Sequence, residues 1–256
     1  MNASSLERRA HILAGQARDI AERRRPCAVD HSNMLEAHLK EQAAGMDTVA
    51  TMLDPGLASP ELIGNLQDIA RRLVGTNQAI NTDLKLNMVQ SAMGSLARCL
   101  QTVVAGSVGV PLSAPLFDAN CRRHILSNMA LNAERHEGPC ALNNTRMMEW
   151  HANSKLHALD LIVAQLDPGI VDAGVIQHAR KVVEKLSTNQ PGWDTGTRVG
   201  VVNSELLDIR TALDAARTDL PAQPTQVQAP ANTRKCGLAT ALRMAGHVLG
   251  LGSRES

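Results

Sequence analysis

The sequence contains almost no aromatic residues. Its 256 residues include no tyrosine, one phenylalanine and two tryptophans. Strands of β-sandwiches favour aromatic and β-branched side chains, whereas helices pack well with leucine, alanine and methionine. The composition therefore favours an all-α fold. It also leaves few of the aromatic rings on which the bases of single-stranded nucleic acids stack.

An excess of charge of either sign is also missing. Lysine and arginine number 26 against 25 acidic residues, and the formal net charge is +1. Nucleic-acid binding depends on a basic surface, so no nucleic-acid partner is expected. No apolar run is long enough to predict a membrane span. The first residues show no apolar stretch of the kind found in secretory signals.

The chain has an odd number of cysteines, five, and none of them forms a CxxC pair. This usage indicates reduced thiols in a cytoplasmic-type reducing environment rather than a disulfide framework. A second context that would suit the chain is a bacterial protein that is exported without a cleaved signal peptide and acts inside a host cell.

The common enzyme signatures are absent from the sequence. It contains no P-loop, GxGxxG, GxSxG or HExxH motif. These motifs carry phosphate binding, nucleophilic catalysis and zinc hydrolysis in the families that use them. Their absence makes a non-enzymatic protein the favoured interpretation, and neither a cofactor nor a metal is expected.

An internal repeat organises the chain. Residues 53–56, Leu-Asp-Pro-Gly, recur at 166–169, an offset of 113 positions, and the same offset relates residues 11–13 to 124–126. A self-similar chain is built from copies of one structural unit. In each copy, apolar residues at helical spacing predict four helices, which favours a tandem duplication of an antiparallel four-helix unit, that is, two helical bundles. The predicted boundaries are a first copy at 1–106, a linker at 107–117, a second copy at 118–219, a Pro/Gln/Ala linker at 220–234 and a short amphipathic or disordered tail at 235–256.

Polar residues that recur at this offset are the candidates for catalysis. Glutamate and histidine share the second helix of each copy, and a cysteine precedes that helix. At 100° per residue the glutamate and the histidine flank the buried stripe on opposite sides, so one helix alone cannot use both to chelate a metal. Interhelical hydrogen bonds are the alternative interpretation of these side chains, and a half-buried loop residue is the alternative for the cysteine. The candidates are Cys27, Cys140, Glu36, Glu149, His38 and His151.

A second group consists of candidate binding residues. Trp150 replaces Ala37 of the first copy and faces away from the buried stripe. Tryptophan is enriched in the hot spots of protein interfaces, although cover by the other copy or by the tail is an alternative. Trp193 lies in a predicted loop. His11 and His124 lie on the outer face of the first helix of each copy.

These patterns favour a non-enzymatic protein–protein interaction module with a protein partner. One alternative is an enzyme whose site is built from the repeated His, Glu and Cys residues, in one bundle or at the cleft between the repeats. A second alternative is a membrane-surface adaptor. Membrane contact is expected only through the C-terminal tail, whose apolar residues fall on one face.

Overall fold

A computed structural model describes residues 3–23, 32–53, 57–75, 80–106, 114–137, 145–188 and 194–217, and all regular structure within them is helical. The all-α prediction is therefore confirmed for this part of the chain. None of these helices is both long enough and apolar enough to cross a membrane. The helices are α1 (Ala3–Glu22), α2 (Ser32–Met52), α3 (Pro60–Val74), α4 (Thr82–Gly106), α5 (Ala114–Arg135), α6 (Thr145–Ala164), α7 (Ala173–Ser187) and α8 (Thr195–Ala215).

Helix α3 shows how local sequence sets the boundaries. The Ser59 hydroxyl accepts a hydrogen bond from the Leu62 N–H at 3.2 Å, and Pro60 occupies the first helical position. Proline suits that position because its missing N–H would have no partner inside the helix. The helix ends at Val74, and Gly75 follows it as the C-cap. Helix α5 begins at Ala114, so residues 114–117 of the predicted linker are helical.

Most helix pairs recur in the two halves of the chain, although α7 contacts α8 whereas α3 contacts α5. Helix α1 packs along α4, and α5 packs along α8. Helix α2 contacts α1, α3 and α4, and α6 contacts α5, α7 and α8. The third helix of each half, α3 or α7, has 15 residues. Helices α4 and α5 pack against each other and join the halves.

One apolar cluster runs through all eight described helices. It is built from leucine, isoleucine, valine, methionine, alanine and cysteine, and Met46 and Met93 are completely buried. Each fully buried leucine or methionine contributes roughly 1.5–3 kcal/mol relative to an exposed one. Burial of many such side chains therefore replaces the aromatic core that this composition cannot supply.

Polar side chains of the second half accept hydrogen bonds from backbone N–H groups at the starts of helices in the first half. The Asp118 carboxylate accepts a hydrogen bond from the Ser59 N–H at 2.7 Å, and the Ser154 hydroxyl accepts one from the Asn81 N–H at 2.8 Å. The N–H groups at a helix start lack partners within the helix. Contacts from α5 and α6 therefore satisfy backbone donors at the starts of α3 and α4.

Candidate functional site

Helix α6 buries one face and exposes two large apolar side chains on the other. Its buried face includes Leu156 and Leu159. Met147 is 38% exposed and Trp150 is 43% exposed. Residues three apart on a helix share a face, so the two side chains form one apolar surface near the start of α6. We call Met147 and Trp150 the α6 patch.

A groove lies beside this patch. It has a volume of about 450 Å³ and is open to solvent. Buried leucines form its apolar floor, and polar or charged side chains form its rim. We call it the α6 groove, and its lining consists of Glu149, Asn153, Leu156, His157, Leu186, Ser187 and Arg198.

The rim of the α6 groove holds one fixed hydrogen-bonded pair. Arg198 of α8 donates from Nη2 to Oδ1 of Asn153 at 2.8 Å. Asn153 follows Trp150 by three residues, so the pair lies next to the α6 patch. Glu149 and Arg198 place opposite charges on the rim. The arrangement offers an occupant an apolar surface together with hydrogen-bond donors and acceptors that can orient it.

The structure separates the repeated glutamates from the repeated histidines. Glu149 is exposed in the α6 groove, whereas His151 is buried and does not belong to the groove lining. On α2, Glu36 is exposed and His38 is buried. His38 forms a hydrogen bond of 2.9 Å with Nε2 of Gln42. The described residues therefore do not bring these candidates together in one cavity.

His151 belongs to a buried polar cluster beneath the outer surface of α6. Its ring lies 5.7 Å from the ring of His136, measured between centroids. Burial, with the nearby Lys155 and His136, lowers the pKa of His151 to about 4. The imidazole is therefore neutral at physiological pH, and it titrates only in acid.

Lys155 is the central charged residue of this cluster. Its side chain is 2% exposed. The ammonium group donates to the Glu134 backbone carbonyl and to Oδ1 of Asn203, both at 2.8 Å. Burial lowers the pKa of Lys155 to about 8. These contacts connect α5, α6 and α8, so the lysine acts in the described structure as a polar link between three helices.

The two outer-face histidines have different environments. His11 on α1 is exposed, as the sequence predicts. His124 on α5 is only partly exposed, and burial with nearby Arg98 and Arg217 lowers its pKa to about 4. His124 is therefore less exposed than His11, because α5 packs against both α4 and α8.

Several sequence candidates lie outside the described residues. They are Cys27, Cys140 and Trp193, together with the predicted linker and tail at 220–256. Their assignments stay predictions.

Sequence reasoning missed Lys155 and the groove residues Asn153 and Arg198. A signal for Lys155 was present, because it falls seven residues after Met148, which lies 113 positions after Leu35 of the buried stripe in the first copy. Two helical turns return a side chain to nearly the same face, so a lysine there indicates a buried charge. Asn153 and Arg198 carried no such signal, because the groove depends on how α7 and α8 pack on α6.

Among the described residues, no group of three or more His, Cys, Asp or Glu side chains could hold a metal ion. Comparisons of the chain with protein-family models, with curated proteins and with solved structures found no match.

Proposed function

We propose that this protein is a non-enzymatic interaction module that binds a protein partner through the α6 patch and the adjoining α6 groove. The observation that carries the proposal is the exposure of Trp150, at 43%, beside an open groove. Trp150 is one of only two tryptophans in the chain. Leaving apolar area of this size in water is unfavourable, and burial against a partner would recover that free energy.

The chemistry of the surface supports a protein partner. Interface hot spots combine an aromatic anchor with a surrounding polar rim that excludes water. Trp150 and Met147 supply the anchor, and the Asn153–Arg198 pair supplies oriented polar groups next to it. The polar rim would fix the orientation of the partner, and the apolar patch would contribute most of the binding free energy.

We also propose that the eight helices are a tandem duplication of a four-helix unit. The recurrence of residues 53–56 at 166–169 supports it, and so do the helix pairs that recur in the two halves. Ala37 of α2 and Trp150 of α6 are 113 positions apart. Under the duplication, the binding surface is a property that only the second copy carries.

The test is a comparative pull-down. Immobilised wild-type protein and the variants Trp150→Ala and Leu207→Ala would be incubated with lysates of bacterial and of cultured animal cells. Leu207 is the matched control, because it is 39% exposed but lies on α8. Bound proteins would be quantified by mass spectrometry.

We expect a specific partner to be retained by wild type and by Leu207→Ala and to be lost with Trp150→Ala. With the purified partner, the loss should reach about 2 kcal/mol or more, the usual size of a hot-spot truncation. A partner that binds Trp150→Ala as tightly as wild type would refute the proposed surface. Recovery from only one lysate type would show which cellular context supplies the partner.

A further inference from the structure

Two buried thiols meet where the halves of the chain join. Cys99 lies on α4 and Cys121 lies on α5, and the two are 2% and 0% exposed. Cys99 lies seven residues before the end of α4 and Cys121 lies seven residues after the start of α5, so the two lie at the same level of the helix pair, where their side chains interact. Helices α4 and α5 pack against each other along this junction. The pair therefore spans the first and second halves.

The environment of Cys121 keeps its thiol protonated while the helices are packed. The interaction with the Cys99 side chain, burial and the nearby carboxylate of Asp118 raise the pKa of Cys121. A thiol attacks a disulfide only as the thiolate and only when the reagent can reach it. The packed junction therefore protects the pair from oxidation, and a transient opening between α4 and α5 would remove the protection.

We propose that Cys99 and Cys121 form a redox latch, in which a low-molecular-weight disulfide oxidises the two thiols to one disulfide bond that joins α4 to α5. A disulfide requires a sulfur–sulfur distance of about 2.0 Å, and two interacting thiols at the same level of packed helices can reach it by side-chain rotation. The described structure contains the reduced form of the pair.

The reaction is thiol–disulfide exchange in two steps. The thiolate of one cysteine attacks the small disulfide, forms a mixed disulfide and releases one small thiol. The thiolate of the second cysteine then attacks the protein sulfur of that mixed disulfide and releases the second small thiol. Two protein thiols are oxidised, one small disulfide is reduced, and the two thiol protons end on the two released thiols.

The expected consequence is a junction that can no longer separate. A covalent link between α4 and α5 restricts the unfolded chain, so the oxidised protein should melt several degrees higher than the reduced protein. The latch is independent of the proposed partner surface, because neither cysteine belongs to the α6 patch or the α6 groove.

The experiment uses the full chain with Cys27→Ser, Cys140→Ser and Cys236→Ser, so that only the two junction cysteines remain. Reduced protein would be incubated with glutathione disulfide, and free thiols would then be alkylated before digestion with trypsin. Residues 99–122 contain both cysteines and no internal lysine or arginine, so they form one tryptic peptide. Oxidation of the pair should yield this peptide without alkylation and lighter than its reduced form by two hydrogen atoms.

Urea below the unfolding transition provides the kinetic readout. If opening of the junction controls access, the rate of disulfide formation should rise with urea concentration. The variant Cys121→Ser is the matched control, and it should yield a glutathione adduct at Cys99 but no internal link. Three outcomes would overturn the latch: glutathione adducts or intermolecular dimers without the internal link, a link that lowers the melting temperature, or an oxidation rate independent of urea.

Discussion

The two halves of the chain differ most clearly in the buried polar side chains of α2 and α6. His38 and Gln42 on α2 occur 113 positions before His151 and Lys155 on α6, and all four are buried. The Gln42 amide bonds to His38 within its own helix. Lys155 instead bonds to Glu134 and Asn203 on two other helices. The first half therefore uses a hydrogen bond within one helix at positions where the second half uses a charged link between three helices.

This difference shows what a buried charge requires. Removing an ammonium group from water is unfavourable unless hydrogen bonds replace its hydration. Lys155 obtains two such bonds, and burial still lowers its pKa to about 8. Gln42 has a smaller desolvation penalty because it is neutral.

A similar contrast separates α1 from α5. Ile12 is 56% exposed on α1, whereas Ile125, 113 positions later, is 2% exposed on α5. The same offset relates exposed Arg8 to buried Cys121. Helix α5 lies between α4 and α8, so its surface must be less polar than that of α1. Sequence differences between related positions thus follow the difference in burial.

The largest expected effect comes from truncating the buried link. Lys155→Ala should lower the free energy of unfolding by about 3 kcal/mol, because it leaves a cavity and two acceptors without their donor. Gln42→Ala should lower it by only about 1 kcal/mol. The reason is that Gln42 Oε1 is buried without a hydrogen-bond partner among the described residues. Truncation removes this oxygen and so removes the free-energy cost of burying it. Urea denaturation of both variants measures the difference.

Lys155→Met is the matched control for this pair of variants. Methionine fills much of the same volume without the charge, so Lys155→Met should lower the free energy of unfolding by only about 1–2 kcal/mol. If Lys155→Ala and Gln42→Ala lower the free energy of unfolding equally, the link between three helices stabilises the protein no more than the hydrogen bond within α2 does. The contrast between the halves would then be refuted.

The next effect is a dependence of stability on pH. The pKa of His151 is lowered from 6.5 to about 4 in the folded protein. The unfolded chain therefore binds more protons between these values, and stability falls as the pH drops from about 6.5 to 4. His151→Gln should remove about 2 kcal/mol of that acid-induced loss. Urea denaturation at several pH values measures it.

His11→Gln is the control for the pH series, because His11 is exposed on α1. It should leave the acid-induced loss unchanged. His124 also has a pKa lowered to about 4 and contributes in the same direction, so the double variant with His151→Gln should be less acid-sensitive than either single variant. An unchanged profile in His151→Gln would contradict the environment described for this histidine.

Much of the fold follows from the sequence, whereas most of the site does not. The start of α3 at Ser59 and Pro60 is encoded locally, because capping and proline geometry depend on neighbours in the chain. The outward position of Trp150 follows from helical periodicity. The partly buried state of His124 and the α6 groove depend on which helices pack together, which spacing within one helix cannot specify.

The smallest expected effect on stability is the exchange of Ala37 and Trp150 between the halves. Both positions are exposed, so Trp150→Ala and Ala37→Trp should each change the free energy of unfolding by about 0.5 kcal/mol or less. Thermal melts of the single variants and of the double exchange test this expectation. If Trp150→Ala instead lowers stability by roughly 3 kcal/mol or more, as in a core truncation, the ring is covered within the protein and the α6 patch loses its anchor. If the melts agree with exposure, the double exchange becomes informative about binding. A partner that recognises only the tryptophan would bind the double exchange through α2. A partner that also requires the Asn153–Arg198 pair would bind neither Trp150→Ala nor the double exchange.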